Sequence, residues 1–341
     1  MARFIGIDLG TSSVLIYVKG RGIVLSEPSV VAKDVQTGKI LKFGAEAYQM
    51  IGRTPEHIET VHPMQKGVIS RHGDTLQMLG YFVRRACGSL VTKPVIVVCV
   101  PVGVTEVEER AVIDASNNAG ARKTYLIEEP MAAALGAGLD VTSSDGKMIV
   151  DIGGGTTDIA VICRESVVVS DCLRTAGDDM NEAIIRYLRK KYNLLIGERT
   201  AEELKCEIGT ITSAEQKERE VRGKCLLEGL PKAVTVTSKD MKEALEEPVT
   251  AIAQAVCGVL ERTAPGLIDD ISKNGIVLTG GGSQLVGMDK LIAKATGIRT
   301  VVAENPAECV AIGTGRYFAQ KEMRRQLLPE QKTKGFSRRK R

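Results

Sequence analysis

The chain has 341 residues, too many for one compact core and enough for two domains or more. Its 43% apolar and 26% charged residues are ordinary for a soluble globular protein, and with no Trp and only 4% aromatics it lacks base-stacking platforms for single-stranded nucleic acid. The net charge of +4 is concentrated in the tail, where Lys332, Lys334, Arg338, Arg339, Lys340 and Arg341 have only Glu330 beside them, so the near-neutral body excludes a general nucleic-acid binder.

An apolar strand is expected at 3–9, too close to the first residue to leave room for a signal peptide, and a second at 14–18. The stretch 31–66 reads as an insertion, followed by a helix over 74–87. Val95–Val102 is the longest apolar run, far short of the roughly 18 residues of a spanning helix, and with Pro101 it reads as a buried strand over 94–100. A helix over 106–119 opens on Thr105-x-x-Glu108, a capping box that satisfies two orphan backbone donors reciprocally. A strand at 123–127 leads through Glu128-Glu129-Pro130 to a helix over 130–137. The turn-forming Thr142–Gly146 marks a boundary, giving a first half over 1–141 and a second over 142–326.

The second half opens with strands at 147–151, 157–163 and 166–172. Its insertion, 176–240, carries helices at 177–192 and 201–208, the latter capped by Thr200-x-x-Glu203. A helix over 239–262, a strand at 275–279 and helices over 284–296 and 307–326 follow, the last entered through Asn305-Pro306-x-Glu308 with Pro at the first helical position. Residues 327–341 form a basic flexible tail. The alternation of strands and helices indicates an α/β fold of two related halves. The eight cysteines are scattered, without a C-x-x-C pair and with only three His in the chain, and read as reduced apolar residues rather than a disulfide frame or zinc site.

Two stretches spell one device twice. Phe4-Ile-Gly-Ile-Asp8-Leu-Gly10-Thr11-Ser12-Ser13 and Met148-Ile-Val-Asp151-Ile-Gly153-Gly154-Gly155-Thr156-Thr157-Asp158 each run from an apolar strand through an Asp into a Gly/Thr turn and a second strand. Successive N–H groups in such turns form an anion nest, and Gly lets the backbone come close. Either Asp alone is as well explained by capping its own turn. As a pair on matching hairpins, Asp8 and Asp151 favour Mg²⁺ reached through water, with Gly10–Ser13 and Gly153–Thr156 around phosphates. Neither a P-loop nor a Rossmann G-x-G-x-x-G is present. Gly280-Gly281-Gly282-Ser283, between strand and helix, reads alone as a sharp turn, and within a clamp as an adenosine or α-phosphate rest. Glu129, at a helix start, is either a plain acidic first-turn residue or the group that polarises a water attacking the γ-phosphate.

These residues resemble the phosphate and adenosine loops of the actin-like ATPases, and within them the bacterial MreB/Mbl family, Mbl-like members in particular. Glu27–Val31, Met50–Pro55, Ile127–Ala134, Ile196–Glu202, Leu260–Pro265 and Val302–Gly315 carry the resemblance over nearly the whole chain. It implies a four-subdomain actin fold with ATP and Mg²⁺ in the central cleft. It implies antiparallel double protofilaments on the inner face of the cytoplasmic membrane, which organise peptidoglycan synthesis and rod shape with membrane morphogenic and cell-wall synthesis proteins. By the same resemblance Glu129 is the catalytic Glu, with Asp151 beside it, and Thr156 holds the attacking water. Glu202, Glu203 and Lys205 lie on the helix that contacts adenosine, Gly280–Gln284 form the adenosine loop, and Val107 meets the paired protofilament. The membrane contact falls on Gly88-Ser-Leu90-Val91-Thr92, less apolar than in relatives. The basic tail reads as a solvated end, with attraction to anionic lipid as the alternative.

Three positions depart from the family pattern: Ser13 replaces Asn, and Lys66 and Arg71, within His62–Arg71, replace acids. The competing function is a small-molecule kinase of the actin/sugar-kinase superfamily, which requires an Asp base for the substrate hydroxyl that no motif here supplies.

Overall fold

A computed structural model describes residues 4–88, 93–212 and 216–327. Two five-stranded sheets carry the molecule. The first contains β1 (Phe4–Leu9), β2 (Ser13–Val18), β3 (Gly22–Pro28), β4 (Val95–Val100) and β5 (Lys123–Glu128) in the order β3-β2-β1-β4-β5. The second contains β6 (Lys147–Ile152), β7 (Thr157–Cys163), β8 (Ser166–Leu173), β9 (Ile276–Thr279) and β10 (Thr300–Val302) in the order β8-β7-β6-β9-β10. Each sheet therefore has an antiparallel hairpin, β1–β2 or β6–β7, whose first strand runs parallel to a later strand, β4 or β9.

The strand sequences follow from this placement. Every residue of β4 is buried, because Ile96, Val98 and Val100 face the core of the first half while Val97 and Cys99 face helices lying between the sheets. A central parallel strand covered on both faces needs such a continuous apolar run. The inter-sheet layer is built from α3 (Glu129–Gly136) and α9 (Cys309–Leu327). The remaining long helices are α1 (His72–Cys87), α2 (Glu106–Asn118), α4 (Gly177–Tyr192), α5 (Glu198–Ile208), α6 (Ser238–Glu261), α7 (Pro265–Asn274) and α8 (Met288–Thr296). Although α9 comes last, it packs on the first sheet: Phe318 stacks on Phe4 with ring centroids 3.9 Å apart.

Several elements differ from expectation. The capping box at Thr105 is present, with Thr105 N–H donating to Glu108 at 2.7 Å. The one expected at Thr200 is not: α5 starts at Glu198 with Gly197 as an N-cap that makes no side-chain bond. Glu203 is drawn outward to Arg219, 2.7 Å away, and to Arg199, so it cannot reach back to cap. An unforeseen capping box, Thr237 with Asp240, starts α6. The expected 284–296 helix is a 3₁₀ turn over Gly281–Gln284 and then α8, because Gly287 at φ 94° breaks the helical path. Asn305 makes no side-chain cap, and Pro306–Glu308 is a short 3₁₀ turn leading into α9. Strands β3 and β10 and helix α7 were not expected. The two insertions each form a three-stranded antiparallel sheet, Val31–Asp34 with Ile40–Phe43 and Ile58–Val61, and Leu194–Leu195 with Glu218–Cys225 and Pro231–Thr237. The short strands Met64–Gln65 and Val68–Ile69 form a further hairpin. The expected membrane loop, beyond Gly88, and the basic tail lie outside the described residues.

Helices α3 and α9 approach at small residues. A Cβ on Gly313 would lie 1.7 Å from the Ala132 carbonyl oxygen, and one on Gly136 1.7 Å from that of Cys309. Gly→Ala inside a helix ordinarily adds stability. Here Gly313→Ala forces the helices apart and is expected to lower stability by about 1–3 kcal/mol. A urea midpoint unchanged or raised in the variant would contradict this contact.

Candidate functional site

The two hairpin turns face each other across a cleft with a cavity of about 650 Å³, within the range of small-molecule sites. Asp8 lies near the end of β1, and Asp151 near the end of β6, cross-strand from Asp158. The turns touch: a Cβ on Gly154 would lie 1.9 Å from Ser12 Oγ, and one on Gly155 2.3 Å from Thr11 Oγ1. Glycine at both places is thus what lets the backbone of the second turn sit against the Ser12 and Thr11 side chains of the first.

Asp8, Glu129, Asp151, Gly10–Ser13, Gly153–Thr156, Glu202, Lys205, Gly280–Gly282 and Gln284 all line the cleft. Ser283 does not. Its hydroxyl is buried and donates to the Gly280 carbonyl at 2.7 Å, so it shapes the turn from behind. Glu203, held on the outer side by Arg219, does not line it either. Lys205 Nζ donates to the Gly177 carbonyl at 3.0 Å and to Glu202 at 2.7 Å. Burial alone would raise the Glu202 carboxyl, but Lys205 and Asn181 outweigh it and hold that group below its ordinary range. Val107 lies on the surface of α2, 76% exposed.

The cleft floor concentrates negative charge. Burial pushes Asp8 up to about 6 and Asp151 up to about 7. Glu129 is raised well above the usual carboxylate range, first by burial and then by Asp158, Asp8 and Asp151. Asp158 is also raised by burial, and its Oδ1 accepts from the Val102 N–H at 2.9 Å, joining the second hairpin to the loop after β4. Asp151 Oδ1 and Asp158 Oδ2 are buried and have no hydrogen-bond partner. Buried carboxylate oxygens left without a donor favour a proton or a nearby cation. No group of three candidate ligands is close enough to hold a metal directly among the described residues. Buried carboxylates lining a polar cleft suit an ion such as Mg²⁺, which keeps most of its waters and takes few protein ligands directly.

Sequence reasoning missed Asp158 as a site residue, though it stands inside the second motif. It also missed Asn181, which donates to Glu202 at 2.6 Å, and Asp178, which accepts from Ser12 Oγ at 2.9 Å. Asp178 is marked in the sequence by its place in the first turn of α4, where an acid suits the helix dipole; Asn181 carries no local signal.

Known proteins match this arrangement along most of the chain. The family described as MreB/Mbl protein matches residues 2–326. The cell shape-determining protein Mbl of Bacillus subtilis (strain 168) is 48% identical over 316 residues, covering 92% of this chain and 95% of that protein. The cell shape-determining protein MreB of Escherichia coli (strain K12) is 48% identical over 326 residues, covering 94% of each. Among solved structures, MreB5 of Spiroplasma citri bound to ADP has a TM-score of 0.90 at 34% identity, covering 96% of this chain and 98% of that one. A MamK double helical filament, with a TM-score of 0.79 at 21% identity, shares the fold. With its two hairpin-led sheets around a common cleft and this similarity over nearly its full length, the chain has the actin-like α/β fold and belongs to the MreB/Mbl family.

Proposed function

We propose that this protein is an ATP-dependent, actin-like filament protein that works on the inner face of the cytoplasmic membrane, organising peptidoglycan synthesis and rod shape. The observation that carries the reading is the cluster of buried carboxylates between two glycine turns that meet across the cleft. Nucleotide binding is supported by the MreB5 structures of Spiroplasma citri bound to ADP and AMPPNP. Membership of a family of cell shape-determining proteins favours a filament over a small-molecule kinase.

In this reading Gly10–Ser13 and Gly153–Thr156 surround the phosphates with backbone N–H groups, while Gly280–Gly282 and Gln284, with Glu202 and Lys205, hold the adenosine. Asp8 and Asp151 would hold a hydrated Mg²⁺, which would supply charge neutralisation to the phosphates. Glu129, with its proton affinity raised by burial and the neighbouring carboxylates, takes a proton from the attacking water, and Thr156 fixes that water's position. Hydrolysis is slow and coupled to assembly, and Val107 belongs to the contact between paired protofilaments. The division into halves at residues 1–141 and 142–326 places the cleft at their junction. The 88–92 loop makes the membrane contact, with attraction of the basic tail to anionic lipid as the alternative.

The test is electron microscopy of the purified protein on anionic vesicles with ATP and Mg²⁺. Paired filaments on the lipid are expected. Their absence in every nucleotide state, with ATPase activity intact, would overturn the filament reading. Deleting residues 332–341 should leave vesicle co-sedimentation intact if the loop makes the contact, and abolish it if the tail does.

A further inference from the structure

The turn Lys66-Gly67 joins the strands Met64–Gln65 and Val68–Ile69 of the small hairpin. Both residues have positive φ, 49° at Lys66 and 79° at Gly67. A two-residue turn of that kind prefers Asn, Asp or Gly at its first position, because a longer side chain is disfavoured in the left-handed region. Lysine is therefore a poor local choice, and its side chain shows what it does instead. Lys66 Nζ reaches across the cleft to Asp179 Oδ1 at 2.5 Å. Asp179 lies in the first turn of α4, and its other oxygen accepts from the Ala176 N–H at 2.9 Å, so the acid is fixed before the lysine arrives.

The turn also rests on both phosphate-side loops. Gly67 N–H donates to Thr11 Oγ1 at 2.9 Å. A Cβ on Gly67 would lie 2.8 Å from the Thr156 methyl and 2.8 Å from Pro101, so the backbone there is seated against Thr156. Backbone strain tolerated beside a reaction site is a recurrent sign of a functional constraint.

We propose that Lys66 is a positioning residue for the cleft reaction: by pairing with Asp179 across the cleft, it clamps the 64–69 hairpin onto Thr11 and Thr156. The clamp fixes the spacing between a hydroxyl of one turn and a hydroxyl of the other. The role rests on the ATPase reading above, in which Thr156 holds the attacking water. It is a property of this chain's own lysine at a position where the family pattern has an acid.

Four variants test it. Lys66→Asn suits the turn better, so its melting temperature should match or exceed that of the wild type. Its kcat for phosphate release should nevertheless fall roughly tenfold, with KM for ATP nearly unchanged, as expected when a reacting group is displaced but binding is kept. Asp179→Asn keeps an acceptor for Ala176 and should lose as much. The double variant should be no worse than either single one, because the two side chains act as one unit. Lys66→Arg should retain most of the activity. Unchanged kcat in Lys66→Asn, additive losses in the double variant, or a loss that only tracks melting temperature would each overturn the role. Amide hydrogen exchange of the nucleotide-free protein separates this proposal from the ATPase reading. Faster exchange over 64–69 in Asp179→Asn is expected, and equal exchange overturns the clamp even if the wild type hydrolyses no ATP. Wild-type protein without any phosphate release would instead bring down the ATPase reading.

Discussion

Replacing Glu129 by Gln is expected to slow phosphate release by about 10²- to 10⁴-fold, the usual contribution of a positioned general base, while filaments on lipid persist. Glu129 opens α3, followed directly by Pro130, and it lines the cleft beside Asp8 and Asp151. The side chain is only 9% exposed, and burial together with Asp158, Asp8 and Asp151 raises its proton affinity. An ordinary exposed carboxylate is too weak a base to draw a proton from water near neutral pH; burial among other carboxylates moves Glu129 in the direction that general-base work requires. Gln keeps the shape and removes both the base and one negative charge from a crowded floor. The variant should therefore also be more stable than the wild type without nucleotide at pH 8, an effect opposite in sign to its loss of activity. Phosphate release near the wild-type rate would remove Glu129 from the reaction. A loss of stability would mean that Glu129 makes contacts beyond those described.

The second large effect concerns pH. In the nucleotide-free protein, stability should rise as pH is lowered from 8 to 5, against the usual trend for acidic groups. Asp151 holds its proton up to about 7 when folded, against 3.8 for an ordinary Asp, and Asp8 up to about 6. Between those values the folded state binds more protons than the unfolded chain, so stability falls as pH rises through the window. The contribution is fully present below about pH 4 and gone above about pH 7, and for Asp151 alone it amounts to roughly 4 kcal/mol. Asp240 acts in the opposite direction but elsewhere. Burial raises it, yet Lys191 and Thr237 bind it strongly enough to bring it down to about 2, so its contribution is present above pH 4 and lost only below. The interval from 5 to 8 therefore reports on the cleft. Urea midpoints across that interval check the slope, and a flat or rising profile would refute the buried-carboxylate account. Adding Mg²⁺ and ATP should flatten it, because a bound cation takes the place of the protons. Calorimetric titration in two buffers of different ionisation enthalpy should then show proton release at pH 7.

The duplicated hairpins were readable because their information is local. An apolar strand, an Asp, a tight Gly/Thr turn and a second strand all lie within about a dozen residues, so turn chemistry and side-chain alternation specify them without the rest of the molecule. The same holds for the buried run Val95–Val100 and for the capping box at Thr105, three residues from its partner Glu108. The family membership was equally legible, since its motifs are short and ordered along the chain.

Other features depend on partners far away in sequence. Thr200-x-x-Glu203 has the composition of a cap, yet Arg219 on a neighbouring strand claims the Glu203 carboxylate and turns it away from the cleft. Ser283 sits in the right motif but spends its hydroxyl on the Gly280 carbonyl. Lys66 and Asp179 are 113 residues apart, and nothing near either one signals that they meet. The proton affinities of Asp8, Glu129, Asp151 and Asp158 arise from burial and from one another's charge, which exist only once both hairpins close on one cleft. The sequence by itself determined which residues could bind an anion and a cation, because turn and strand preferences act over a few residues. Tertiary structure alone decided which of them face the cleft, how their charges shift and what clamps them together, because desolvation and long-range pairing depend on the packing of the whole chain.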